Sequence, residues 1–264
     1  MPQMHNSQSS ALDWVARQWK RIGLALVIVA AIVLAFSIHH RSVQAAILRA
    51  DPDQILGDPN LRDAALASGK SVFDRHCASC HGADGQGNQD RGIPNFTDED
   101  HLYGTGTVSE IEQIARYGIR AYNKRGWTLA SMPAYASAIP YASEPLPSQT
   151  PKQIEDLTQF LLSFTARSTD AAAALRGKDQ YVAAGCWDCH GHSGEGDDAV
   201  GAPVLTDNIW LYGGSHDDIH RSIAKGRAGY SPAFAKKLSA AELRTVSVYV
   251  ASLAATKPSS RKAQ

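Results

Sequence analysis

The four cysteines of this chain fall in two copies of one pattern, Cys77-Ala-Ser-Cys80-His81 and Cys186-Trp-Asp-Cys189-His190. Two thiols three residues apart, followed at once by an imidazole, allow three kinds of chemistry. They could hold zinc, cycle as a redox dithiol, or attach a haem through two thioethers while the imidazole binds its iron. Zinc needs cysteine pairs that converge, and here each pair stands in its own stretch of chain. A thioredoxin-like dithiol needs a strand-to-helix setting, which the helical periodicity around these motifs does not provide. On a helix, positions i, i+3 and i+4 share one face. Cys77, Cys80 and His81 can therefore reach one porphyrin, and Cys186, Cys189 and His190 another. The expectation is two covalently bound haem c groups, with His81 and His190 as iron ligands and no cysteine left for a structural disulfide.

The elements that position these motifs come in duplicate. HGADGQG (81–87) matches HGHSGEG (190–196) at an offset of 109 residues, and Gly92-Ile-Pro94 matches Gly201-Ala-Pro203 at the same offset. His101-Leu-Tyr-Gly104 then lies over Trp210-Leu-Tyr-Gly213. Gly69 with Phe73 precedes the first motif as Gly177 with Tyr181 precedes the second. Each copy closes on a capped amphipathic helix. Thr150-Pro-Lys-Gln153 and Ser239-Ala-Ala-Glu242 read as capping boxes. Behind them run Ile154, Leu157, Leu161, Phe164 and Leu243, Val246, Val250, Leu253 at i, i+3, i+7, i+10 spacing. The reading is two tandem helical domains, at 64–168 and 169–257, with a tail at 258–264. The copies differ in loop length. Fourteen positions separate Gly118 from Met132 where five separate Gly226 from Ser231. Seventeen separate Pro133 from Thr150 where seven separate Pro232 from Ser239. The extra residues of the first copy form either a contact surface or a passive insertion.

Upstream, residues 22–38 (IGLALVIVAAIVLAFSI) carry no charge, and Arg17, Lys20 and Arg21 crowd their N-terminal side. This predicts a cytoplasmic tail at 1–21, a transmembrane anchor at 22–40, a polar tether at 41–63 with Asp51-Pro and Asp58-Pro breakers, and haem domains outside. A cleaved leader ending at Ser42-Val-Gln-Ala45 is the alternative; the length of the apolar run favours an anchor. The 264 residues hold 26 basic and 26 acidic side chains, so there is no overall basic field for nucleic acid.

Each half resembles a class I cytochrome c, on Gly69/Phe73, Gly177/Tyr181 and the aromatics Phe160 and Tyr249 of the closing helices. The resemblance implies an all-α fold in which first and last helices cross at such Gly–aromatic contacts. It implies that the carbonyls of Pro94 and Pro203 hold the imidazoles of His81 and His190. It implies a methionine as sixth iron ligand. Met1 and Met4 precede the apolar run, which leaves Met132 in Ser-Met-Pro-Ala-Tyr as the axial ligand in the first copy. The second copy has Ser231 at that position, so the sixth ligand of its haem stays open among Tyr230, Lys225, His192, His216 and His220, or none. A lower potential is expected for that haem.

The order of anchor and two domains, with Leu205-Thr-Asp207, Trp210-Leu-Tyr-Gly-Gly214 and Tyr249-Val-Ala-Ser-Leu253, is similar to the dihaem subunit III of cbb3-type cytochrome c oxidases. That implies single-electron transfer at the periplasmic face of a bacterial inner membrane, from a donor cytochrome or a quinol-oxidising complex to an oxidase catalytic subunit. A cytochrome subunit of a periplasmic dehydrogenase, or a haem enzyme using an open second haem, are the other readings.

Overall fold

The computed structural model describes residues 7–98, 100–128, 130–139 and 148–255. Met1, Met4, the proline-rich part of the long loop at 140–147 and the tail at 258–264 lie outside the described residues. The described residues form helices joined by loops, with isolated β-bridges and no strands.

Helix α1 runs from Ser7 to Arg49, 43 residues or about 65 Å at 1.5 Å per residue. From Ile22 to Ile38 its large side chains stand bare, with Leu26 65% and Phe36 70% exposed. An apolar surface with no protein over it on any side is what a lipid-facing helix presents. The same helix then carries Val43 and Ile47 into a core with Ile55, Ala65, Val108 and Val248.

Residues 41–63 are therefore no tether. Asp51 caps a 3-10 turn over Pro52–Gly57, accepting from the Asp53 amide. Asp53 in turn accepts from the amide and hydroxyl of Ser109 at 2.9 and 2.7 Å. Arg244 donates through Nη1 to the carbonyls of Ile47 and Ala50 at the end of α1, at 3.3 and 3.2 Å. Its Nε donates to Glu112, which also accepts from Arg116. The residues that read as helix breakers act here as caps, so the anchor runs into the folded part without a flexible joint.

Among the described residues eight further α-helices follow: α2 (Arg62–His76), α3 (Ala78–His81), α4 (Val108–Tyr117), α5 (Pro151–Ser163), α6 (Ala171–Ala183), α7 (Trp187–His190), α8 (His216–Lys225) and α9 (Ala240–Ala255). Both capping boxes form. Thr150 and Gln153 satisfy each other's backbone amides at the start of α5, and Ser239 and Glu242 do the same before α9.

The helices do not pair in chain order. The first helix of the first repeat, α2, packs on α9, the last helix of the second. The last helix of the first repeat, α5, packs on α6, the first helix of the second. Both crossings are Gly–aromatic contacts of the kind expected, but each joins the two repeats where the expectation set them within one. A Cβ at Gly69 would lie 2.0 Å from the carbonyl oxygen of Thr245, and one at Gly177 would lie 2.0 Å from that of Asp156. Beside them Phe73 meets Tyr249 and Tyr181 meets Phe160, with ring centroids 5.3 and 5.4 Å apart. One core gathers α2, α4 and α9 around Val72, Phe73, Leu243 and Val246. The other gathers α5, α6 and α8 around Leu157, Phe160, Tyr181 and Ile219. Each core thus draws on both repeats, so residues 64–168 and 169–257 each contribute to two packed units.

Candidate haem centres

The two Cys-x-x-Cys-His motifs occupy equivalent turns. The Cys77 amide closes α2 on the Phe73 carbonyl at 2.8 Å, and a new helical turn places the His81 amide on the Cys77 carbonyl at 2.9 Å. In the second copy His190 bonds back to Cys186 at 3.0 Å in the same way. These i to i−4 bonds put each pair of sulfurs and its imidazole on one face of one turn. After each motif the loop returns beneath the histidine, with Phe96 bonded to Gly85 and Leu205 to Gly194, both at 2.8 Å.

That return brings a proline carbonyl to each imidazole. Nδ1 of His81 lies 3.4 Å from the oxygen of Pro94, and Nδ1 of His190 lies 3.0 Å from that of Pro203. A carbonyl only accepts, so Nδ1 carries the proton and Nε2 keeps its lone pair for a metal. Burial lowers the pKa of both histidines against the opposing pull of the proline carbonyl, which keeps them neutral near pH 7. Burial pushes the thiols of Cys77 and Cys186 up to about 11. A redox dithiol needs a depressed thiol pKa, so the environment argues against that use of the motif.

The residues present fit a haem at each motif. Trp210, packed against the same core as Cys186, holds a buried Nε1–H with no hydrogen-bond partner among the described residues. A buried donor left unpaired is costly, and a porphyrin carboxylate is an acceptor of the right kind. The Arg167 guanidinium lies 5.9 Å over the same indole and adds positive charge there. His101 occupies the matching place in the first repeat. It lies where a Cβ on Gly106 would go, as Trp210 lies against Gly214.

The connections from α4 and α8 cross each other. Leaving α4, Ile119 pairs with Ser231, its amide and carbonyl bonding those of Ser231 at 3.0 Å each. Leaving α8, Arg227 pairs with Met132 at 2.9 and 3.0 Å. Further on, Tyr135 bonds to Ile223 and Phe234 to Ala115. Gly118 and Gly226, both at positive φ, mark the crossings; a Cβ on Gly118 would lie 2.5 Å from the Ser231 oxygen, and one on Gly226 would lie 2.5 Å from that of Met132.

Met132 and Ser231 are therefore structural equivalents, each delivered to the other repeat's motif. Met132, Tyr135 and Ile139 pack in the core that holds Cys186, while Phe234 and Leu238 pack in the core that holds Cys77. This packing sets the Met132 segment in the Cys186 core and the residues after Ser231 in the Cys77 core, across the repeats from the expected pairing of Met132 with His81 and Ser231 with His190. The histidines weighed for the second centre are otherwise engaged. His192 stacks on Trp187 with centroids 4.7 Å apart, and His216 bonds Glu155 and Asp217. His220 lies beside His216 on α8. Tyr230 is 66% exposed.

Sequence reasoning missed one stabilising feature, the reciprocal seating of Tyr103 against Gly201 and Tyr212 against Gly92. The Gly104 amide also bonds to the Asp198 carbonyl at 3.2 Å, and Gln89 bonds to the Trp210 carbonyl at 2.8 Å. The signal was present in the duplicated Leu-Tyr-Gly, which sets each tyrosine in equivalent surroundings.

Comparison with known proteins agrees with this arrangement. Residues 66–165 match the Cytochrome c family, and residues 172–250 match the family described as cytochrome C oxidase, cbb3-type, subunit III. The chain is 37% identical over 214 residues to the cbb3-type cytochrome c oxidase subunit CcoP of Azospirillum brasilense, covering 79% of this chain and 68% of that one. It is 36% identical to subunit FixP of Azorhizobium caulinodans, over 76% of this chain and 64% of that one. It is 33% identical to CcoP of Cereibacter sphaeroides, over 82% and 70%. Cytochrome c domains carry covalently bound haem c. With its bare apolar helix, its paired His–Pro turns and these relatives, the chain belongs to the cbb3-type cytochrome c oxidase subunit III family.

Proposed function

We propose that this chain is a membrane-anchored dihaem electron carrier that passes single electrons to the catalytic subunit of a cbb3-type oxidase. The observation that carries the reading is the pair of equivalent turns in which a histidine next to two cysteines donates Nδ1–H to a proline carbonyl. Bound there, haem c supplies a one-electron couple. Cys77 and Cys80 tether one group and Cys186 and Cys189 the other, while His81 and His190 bind iron through Nε2. The carbonyls of Pro94 and Pro203 fix the ring orientations and raise the basicity of the ligands.

Met132 would supply the sixth ligand at the His190 centre, because its segment packs in the core of Cys186. Trp210 and Arg167 would hold a haem carboxylate at the same centre. The basic cluster Arg17, Lys20 and Arg21 ahead of the apolar run supports a cytoplasmic N-terminus and periplasmic haem centres. The burial of Ile47 beyond Ala45 supports retention of the helix as an anchor. Electrons enter from a periplasmic c-type donor or a quinol-oxidising complex.

Purification in mild detergent tests the assignment. Co-elution with haem b, copper and oxygen consumption driven by a reduced c-type donor is the expected result. Elution with a dehydrogenase, or with no partner, would remove the oxidase assignment and leave the two haem centres standing.

A further inference from the structure

We propose that the haem attached at Cys77 and Cys80 has an open sixth position that takes a small exogenous π-acceptor of the carbon monoxide class, while Met132 closes the other centre. The proposal rests on the dihaem reading above and goes beyond it.

Its basis is the crossed connection. Ser231 stands at the His81 centre in the backbone position that Met132 holds at the His190 centre, and both are locked by paired amide–carbonyl bonds to the residue after a crossing glycine. The chain has three methionines, and Met1 and Met4 precede the spanning helix. No thioether of this chain is therefore left for the His81 centre. A neutral serine hydroxyl is a hard, weakly basic oxygen and a poor partner for haem iron.

Among the described residues, the other donors weighed for this position stand elsewhere. The backbone of Ser231 is pinned on both sides to Ile119, so the segment cannot slide to exchange one side chain for its neighbour. Tyr230 faces outward. Lys237 lies 5.8 Å over the Phe234 ring and, like Lys236, stands exposed. Lys225 ends α8, which packs in the Cys186 core, and His192, His216 and His220 flank that core too. The short crossing of five positions from Gly226 to Ser231 has no slack from which to supply another ligand.

The test uses the full-length chain in detergent, separated from other subunits, with two haems c per chain verified by pyridine haemochrome; a lower haem count would break the dihaem reading instead. Carbon monoxide added to the reduced protein, and cyanide to the oxidised protein, should bind one haem of the pair. The oxidised protein should show the methionine-to-iron charge-transfer band of one haem.

Ser231→Met should abolish binding of both probes and add a second such band. Cys186→Ala with Cys189→Ala should leave a haem that binds carbon monoxide and lacks the band. A wild-type protein in which neither probe binds, or a Ser231→Met protein that binds them unchanged, would overturn the proposal. So would a methionine band retained after loss of the Cys186 attachment, which would return Met132 to the His81 centre. If the double cysteine variant does not accumulate, Ser231→Met decides the matter alone, since it changes the distal side of one centre and no attachment.

Discussion

The His190 and His81 centres are built on one plan and finished differently. At His190 the motif sits among Tyr135, Tyr181 and Trp210, receives Met132 from the first repeat, and holds its histidine to Pro203 at 3.0 Å. At His81 the surroundings are Phe73, Phe96 and Phe234, with Phe96 stacked on the imidazole at 4.2 Å and the Pro94 contact longer at 3.4 Å. The membrane helix adjoins this second centre through Ile47 and Arg244. The core that holds Cys77 is thus the one that α1 reaches, and the one that receives the Ser231 segment and not Met132. The two motifs form equivalent turns, but each packs in a core completed by a segment that comes from the other copy.

The sharpest way to break this comparison is Met132→Leu. It should lower the potential of the His190 haem by on the order of 0.2 V, within the ~0.8 V that axial ligands command. Redox titration with the optical spectrum of each haem reads it. A fall in the potential of the His81 haem instead would show that the copies do not exchange ligands. The lower potential expected for one haem accordingly moves from the His190 centre to the His81 centre.

Next come the helix crossings. Gly69→Ala and Gly177→Ala each drive a methyl group onto a backbone carbonyl 2.0 Å away, so each should cost at least about 3 kcal/mol. Denaturant unfolding followed at each haem should show each variant loosening its own centre first. Equal loosening of both centres by either change would mean that the two cores unfold as one.

Glu112→Ala removes the carboxylate shared by Arg116 and Arg244, with side chains only 11 to 28% exposed. It should cost about 3 kcal/mol. The effect should fall on the His81 core and on the junction with α1, seen as faster proteolysis between residues 49 and 62. Loss confined to the His190 core would contradict the pairing of α4 with α9.

The smallest effect is a pH dependence at the His190 core. Hydrogen bonds that His216 donates to the carboxylates of Asp217 and Glu155 hold it above its usual pKa. A raised folded value adds stability that is complete below the unfolded value of about 6.5 and is lost as pH rises through the folded one. His216 and Glu155 are about two-fifths exposed and Asp217 far more so, so the gain is below about 0.5 kcal/mol after solvent screening. Thermal melts between pH 5 and 9 should show wild type and His216→Gln converging at the alkaline end. A difference that grows with pH would refute the assignment.

Much of this was legible in the sequence because it is local. The motif turns, the capping boxes at Thr150 and Ser239, and the proline positions 94 and 203 depend on neighbours within a few turns of chain. The bare apolar helix needs only its own composition. The tether was misread because Asp51 and Asp58 look like interruptions until Ile47 and Ile55 are seen to share a core.

The sequence by itself determined that the Cys-x-x-Cys-His motif occurs twice and that Met132 and Ser231 are counterparts, and the family resemblance implied a glycine against an aromatic at each helix crossing. Only the tertiary structure decided which copy completes which centre. The reason is physical. Repeats offer chemically interchangeable faces, so Gly69 could pack on Phe160 or on Tyr249 with nearly the same local contacts. The choice falls to the crossed connections at Gly118 and Gly226, whose paired backbone bonds join residues more than 90 positions apart.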